Sequence, residues 1–147
     1  MQEILDAIEA GASADEFARI ESLDTGHPIK DATALDVPRT AACFRYFGGM
    51  ADKLQGDIVP VDPGFLNYVQ REPLGVVGAI VPWNSPLVLT AMKIAPALAA
   101  GCTMVLKPAE DTSLTALRLA ELIAEAGVPR SEEHTSELQS HHDLVCR

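Results

Sequence analysis

The sequence predicts an α/β protein, with N-terminal helices followed by a βαβα portion of a doubly wound parallel sheet. Three observations predict it. Two short runs, Gly75-Val76-Val77-Gly78-Ala79-Ile80-Val81 and Cys102-Thr103-Met104-Val105-Leu106, are continuously apolar rather than alternating, as strands buried on both faces require. A helix-length segment separates these runs and another follows the second. Ahead of them, apolar residues recur at helical spacing.

The elements follow in order. A first helix is expected over residues 2–23, with an interruption near residues 11–13, on a discontinuous stripe of Leu5, Ile8, Phe17, Ile20 and Leu23. Asp24-Thr25-Gly26-His27-Pro28 ends it, because glycine tolerates positive φ and proline cannot continue a helix. A second helix should start near Asp36, an N-cap candidate, with Pro38 in its first turn and Cys43, Phe47, Met50, Ala51 and Leu54 on its apolar face. Residues 65–72 read as a strand that Pro73 breaks. Ser85-Pro86 opens the helix after the first buried strand, Pro96 should kink it or mark its edge, and Gly101 closes it. Asp111 or Thr112 should cap the last helix, with Leu114, Leu117, Ala120 and Ile123 on one face and Gly127-Val128-Pro129 as its stop.

Composition narrows the function classes. The 147 residues are 48% hydrophobic and 22% charged, a globular balance with room for one core. A net charge of −10 argues against nucleic-acid binding, which needs clustered Lys and Arg. No basic run precedes an apolar one at the N-terminus, so no targeting leader is expected. The longest apolar stretch, residues 87–100, is interrupted by Lys93 and Pro96 and is too short to span a membrane. Cys43, Cys102 and Cys146 are odd in number and lack metal-ligand spacing, so they read as buried or incidental thiols of a cytoplasmic protein.

Ligands of doubly wound sheets sit outside the carboxyl ends of the strands. Two segments follow strand ends here, Pro82-Trp83-Asn84-Ser85-Pro86 and Lys107-Pro108-Ala109-Glu110, and geometry alone nominates them as the site. On residue type alone, Asn84 could instead cap the following helix. Lys107 and Glu110 could be an exposed charge pair, and Trp83 a core aromatic.

The same loops carry a family likeness. Val81-Pro82-Trp83-Asn84-Ser85-Pro86, then Lys93-Ile94-Ala95-Pro96-Ala97-Leu98-Ala99-Ala100-Gly101, then Leu106-Lys107-Pro108-Ala109-Glu110, together resemble the aldehyde dehydrogenase superfamily. Glu21-Ser22-Leu23-Asp24-Thr25-Gly26-His27-Pro28 resembles a further segment of that family, and the likeness covers residues 1–129 nearly without a break. It implies an incomplete Rossmann-like cofactor domain from an NAD(P)-dependent enzyme that oxidises an aldehyde to a carboxylic acid. It also implies a parent that is a homo-dimer or homo-tetramer with an aldehyde substrate and neither nucleic acid nor membrane as partner.

Site roles follow from the resemblance. Asn84 matches the asparagine whose amide stabilises the oxyanion formed when a thiolate attacks the aldehyde, a contribution on the order of 3 kcal/mol. Ile80, Val81, Pro82 and Trp83, with Asn84, match the wall of the cofactor cleft. Lys107 and Glu110 match the pair that holds the adenosine ribose, the ammonium donating and the carboxylate accepting. A carboxylate there would repel a 2′-phosphate, which favours NAD and leaves NADP open. Ser85 stands where many members carry an aromatic residue, and His27 where lysine is usual. The phase of Lys93 leaves open whether it is exposed or lies beside the site.

The family's Gly-rich cofactor turn, general-base glutamate and nucleophilic cysteine would all follow the point matching Pro129, so the chain as written is expected to be inactive. Residues 130–147, RSEEHTSELQSHHDLVCR, do not continue the family pattern; they resemble the in-frame translation of a short-read sequencing adapter and its sample index. This tail is expected to be non-native and unstructured, and its His134, His141, His142, Asp143 and Cys146 are set aside as a metal set. A different class of protein, a naturally truncated nucleotide-binding or subunit-interaction module without catalysis, would be favoured by a genuine stop codon after residue 130. An unrelated small α/β binding protein does not explain both loop motifs. A sheet of about two strands with bare edges should also make the chain poorly soluble.

Overall fold

A computed structural model describes residues 2–9, 11–128 and 144–146. The N-terminal helix is two helices, α1 (Gln2–Glu9) and α2 (Gly11–Thr25), which meet near the expected interruption. Ile4, Leu5 and Ile8 of α1 are buried, as are Phe17 and Ala18 of α2. The expected stripe fails at its end, because Leu23 is 86% exposed while Glu21, four residues after Phe17, is fully buried. Helical phase carries the inward face from Phe17 to Glu21, and Leu23 falls outside it.

The expected helix starts directly after Asp36 with Pro38 in its first turn, but Asp36 does not cap it. One turn of α3 (Ile29–Asp31) passes through a π-helical turn (Ala32–Asp36) directly into α4 (Val37–Gly48), and Asp36 has helical φ and ψ of −70° and −48° with no side-chain cap. Pro38 explains the wide turn: in an unbroken α-helix its ring would clash with the carbonyl four residues earlier, and a π turn relieves that crowding. The buried face of α4 is Val37, Thr40, Ala41 and Phe44, whereas Cys43 and Phe47 are half-buried and Leu54 lies beyond the helix at 50% exposure.

The strand expected over residues 65–72 shrinks to β2 (Asn67–Val69), paired antiparallel with β1 (Asp57–Val59), which the sequence reading missed. This hairpin is exposed on both faces, including Ile58, Phe65, Leu66 and Tyr68.

The second part is the expected unit. β3 (Val76–Ile80) pairs parallel with β4 (Thr103–Lys107) in register from Val76↔Thr103 to Ile80↔Lys107, joined through α5 (Pro86–Ala99). α6 (Leu114–Glu125) follows β4, and β5 (Leu144–Cys146) lies antiparallel on the other edge of β4. Of the tail expected to be unstructured, these three residues are therefore paired; residues 129–143 and 147, with the three tail histidines, lie outside the described residues. β3 is not buried on both faces as expected. Ala79 is buried, but Val76 is 50% and Ile80 78% exposed, because the covering helices shield only one face. There Leu87, Ile94, Met104, Leu106, Leu119 and Ile123 share one core.

The expected glycine stops are present, Gly26 (φ +79°) after α2 among them. Gly101 (φ +74°) and Gly127 (φ +80°) each end a helix in the left-handed conformation. The amides of Gly101 and Cys102 donate to Leu98 and Ala97 carbonyls, and those of Gly127 and Val128 to Ala124 and Ile123, so both are Schellman motifs. The expected cap of α6 is corrected. Neither Asp111 nor Thr112 caps it, and Ser113 at the cap position makes no side-chain bond. Instead Asp24 Oδ2, at the end of α2, accepts from the Leu114 amide at 2.9 Å. The inward face of α6 is accordingly Thr115, Ala116, Leu119, Leu122 and Ile123, while Leu114 is 52% exposed. Among the described residues no helix is long and apolar enough to cross a membrane.

Candidate active site

The nominated loops lie side by side because the two strands preceding them are neighbours. The parallel ladder extends one step beyond β3, where the Val81 amide donates to the Lys107 carbonyl at 3.1 Å. Thr112 Oγ1 then donates to the Trp83 carbonyl at 3.2 Å and ties the second loop to the first. This bond accounts for Thr112 not capping α6: its hydroxyl is committed across the cleft.

The side chains form an open ledge. Ile80, Pro82, Trp83 and Asn84 are all exposed, Trp83 at 64%, so the tryptophan is not a core residue here. Val81 differs, with 1% exposure; its side chain belongs to the core, and only its backbone borders the ledge. Asn84 has no side-chain hydrogen bond among the described residues. Ser85 Oγ does not cap α5 but donates to the Asn84 carbonyl at 2.6 Å, and α5 has no side-chain cap. The Asn84 amide is thus free to meet a ligand, and the capping alternative has no geometric support. Ser85 and Pro86 still begin the helix, the Leu89 amide donating to the Ser85 carbonyl.

Lys107 Nζ lies 3.6 Å from Glu110 Oε1 and donates to the Pro108 carbonyl at 3.3 Å. Both side chains are largely exposed, so the pair adds little stability and is available to a ligand. A donor and an acceptor separated by one turn fit a vicinal diol. Lys93 is exposed on α5.

Neither described thiol suits nucleophilic work. Cys43 is half-buried on α4, and burial pushes its thiol pKa up, while Cys102 is buried at the start of β4. Two shallow depressions, one lined by Asp15, Glu16, Arg19, Ile20 and Leu23 and the other by Glu3, Ala7, Glu125, Ala126 and Gly127, lie on the helices away from this ledge. The sequence reading missed a second cluster of chemical groups, Glu21, His27 and Asp36. Its one signal was a carboxylate at the inward phase of α2.

Comparison with known proteins bears on this ledge. The family model described as "Aldehyde dehydrogenase family" matches residues 1–132. A mitochondrial aldehyde dehydrogenase of Leishmania tarentolae is 49% identical over 129 residues, 88% of this chain and 26% of that protein. A crystal structure of a putative aldehyde dehydrogenase from Burkholderia cenocepacia superposes with a TM-score of 0.83 at 65% identity, covering 87% of this chain and 26% of the other. The crystal structure of PnpE in complex with nicotinamide adenine dinucleotide superposes with a TM-score of 0.83 at 62% identity, over 86% of this chain and 26% of that one. The chain therefore spans about a quarter of the length of the relatives it matches.

Proposed function

The chain belongs to the aldehyde dehydrogenase family, and from that premise we propose that it is part of an enzyme that oxidises an aldehyde to a carboxylic acid with NAD as hydride acceptor. The observation that supports this most is the pairing of the Trp83-Asn84 loop with the Lys107–Glu110 loop at the carboxyl ends of adjacent parallel strands, locked by the Thr112–Trp83 bond. The dinucleotide would supply the hydride acceptor; the residues of this chain would bind, orient and polarise.

In this reading Lys107 and Glu110 take the ribose hydroxyls, and the Ile80–Trp83 segment forms one wall beside them, Val81 through its backbone alone. The exposed Glu110 carboxylate disfavours a 2′-phosphate, hence NAD over NADP. The Asn84 amide donates to the aldehyde oxygen as negative charge builds on it. Such a donor lowers the barrier only if it is held in place before the reaction, as the neighbouring α5 start holds the Asn84 backbone. The nucleophile and the general base would come from outside residues 1–129. The 147-residue chain by itself is accordingly inactive in this reading, since Cys43 lies half-buried on α4 and Cys102 is buried at the start of β4, neither of them in the loops of the ledge.

The test joins residues 1–129 to the remainder of a close relative. The chimera should oxidise aldehydes, and Asn84→Ala in it should lower kcat about 100- to 1,000-fold while KM changes little. A chimera whose kcat ignores Asn84→Ala would refute the oxyanion role. Cysteine-dependent NADH formation by the 147-residue chain alone would refute its inactivity.

A further inference from the structure

We propose that Glu21, His27 and Asp36 form a binding site for a divalent transition-metal ion, zinc being the best match, that pins α2 to the turn leading into α4. One ligand atom from each residue lies within 4.8 Å of the others. His27 Nδ1 is 3.0 Å from Asp36 Oδ2. The site is separate from the ledge at the strand ends and does not rest on the oxidoreductase reading.

The observation that points to a ligand is Glu21. Its side chain is fully buried in the inward face of α2, and among the described residues neither carboxylate oxygen has a hydrogen-bond partner. Thr115 Oγ1 and the Leu87 amide lie close enough to stabilise the ionised form slightly, yet neither meets hydrogen-bond geometry, and the Thr115 hydroxyl is itself unpaired. Native proteins almost always partner such atoms, because leaving a buried carboxylate without a hydrogen bond forfeits its hydration uncompensated. Two buried carboxylates, Glu21 and Asp36, face one imidazole, and a dication between them would partner the orphaned oxygens of Glu21.

The donor set selects the ion. One imidazole nitrogen and two carboxylate oxygens suit zinc and its first-row neighbours, whereas calcium and magnesium prefer oxygen alone. Tetrahedral zinc with bonds of about 2.0–2.2 Å needs ligand atoms roughly 3.3–3.5 Å apart, so the widest pair here would draw in by at most about 1.3–1.5 Å. His27 is 32% exposed on its side chain, which leaves the fourth position open to water. The histidine is held for the purpose. Ser22 Oγ donates to its carbonyl at 2.7 Å, its amide donates to Thr25 Oγ1 at 3.1 Å, and Thr25 Oγ1 donates to the Glu21 carbonyl at 2.6 Å.

The test titrates the 147-residue chain at micromolar concentration with zinc against a chromophoric chelator, beside His27→Lys and Glu21→Gln. His27→Lys places an ammonium between the carboxylates and removes the coordinating nitrogen without stranding the charges. The tail histidines are the same in all three proteins and contribute equally. The expected result is one zinc equivalent in the parent that both variants lack, with zinc raising the melting temperature of the parent alone. Equal titrations in all three proteins, no zinc bound by any, or an equivalent retained by either variant overturns the proposal.

Discussion

The cap of α6 lends itself to a quantitative test, because the residue that supplies it breaks a local rule. Asp24 sits in the last turn of α2, where the helix dipole disfavours a carboxylate, yet its Oδ2 accepts from the first amide of α6 at 2.9 Å across 90 residues of sequence. The two dipole effects are each about 0.3–1 kcal/mol and opposite in sign, so they nearly cancel and leave the hydrogen bond as the net contribution. Losing a capping acceptor costs about 1 kcal/mol, within a range of about 0.5–2. Asp24→Ala should therefore destabilise the chain by about 1 kcal/mol, lowering Tm by about 2–4 °C at this size. Asp24→Asn keeps an acceptor oxygen and sheds both dipole effects, so it should stay within a few tenths of a kcal/mol of the parent. Ser113→Ala should be silent, since Ser113 makes no cap bond. The assay is urea unfolding in dilute solution followed by helical circular dichroism. Equal losses for Asp24→Ala and Asp24→Asn would mean that charge rather than the hydrogen bond matters. A loss for Ser113→Ala with none for Asp24→Ala would place the cap where local sequence rules put it, and the argument would fail.

Other predictions concern packing and exposed surface. Phe44 is fully buried, so Phe44→Ala should cost about 3–5 kcal/mol in the same unfolding assay. Leu23→Gln, by contrast, should change stability by less than about 0.5 kcal/mol, because that leucine is 86% exposed. Ile80 is 78% exposed on a strand with one uncovered face. Ile80→Lys should reduce the concentration-dependent light scattering of the 147-residue chain without altering its helical spectrum, and unchanged scattering would place the sticky surface elsewhere.

What was legible in the sequence depended on how near each residue's partner lies. β3, β4 and the glycine stops at Gly101 and Gly127 follow from runs and positive-φ positions that need no distant information, and they stand where expected. The loops at the strand ends were legible for the same reason, since a parallel pair places its two following turns together. The exposed hairpin β1–β2 was half missed because three-residue strands without a buried face leave no alternation to read.

The misassigned polar residues share one cause. Asp36 and Asp111 or Thr112 were the natural local caps, but a side-chain oxygen bonds to the group that the fold brings nearest. For Asp36 that group is the imidazole of His27, nine residues back; for Thr112 it is the Trp83 carbonyl, 29 residues back. With Thr112 committed elsewhere, the first amide of α6 is left for Asp24. Two of these exchanges, Thr112 to Trp83 and Leu114 to Asp24, join elements distant in sequence, and the bonds of Asp36 and Asp24 meet in the segment from Glu21 to Asp36. That turn therefore holds α6 through Asp24 and gathers the Glu21, His27 and Asp36 cluster only a few residues away. A residue that loosens the turn, such as Thr25 with its paired bonds to Glu21 and His27, should disturb the cap and the cluster together.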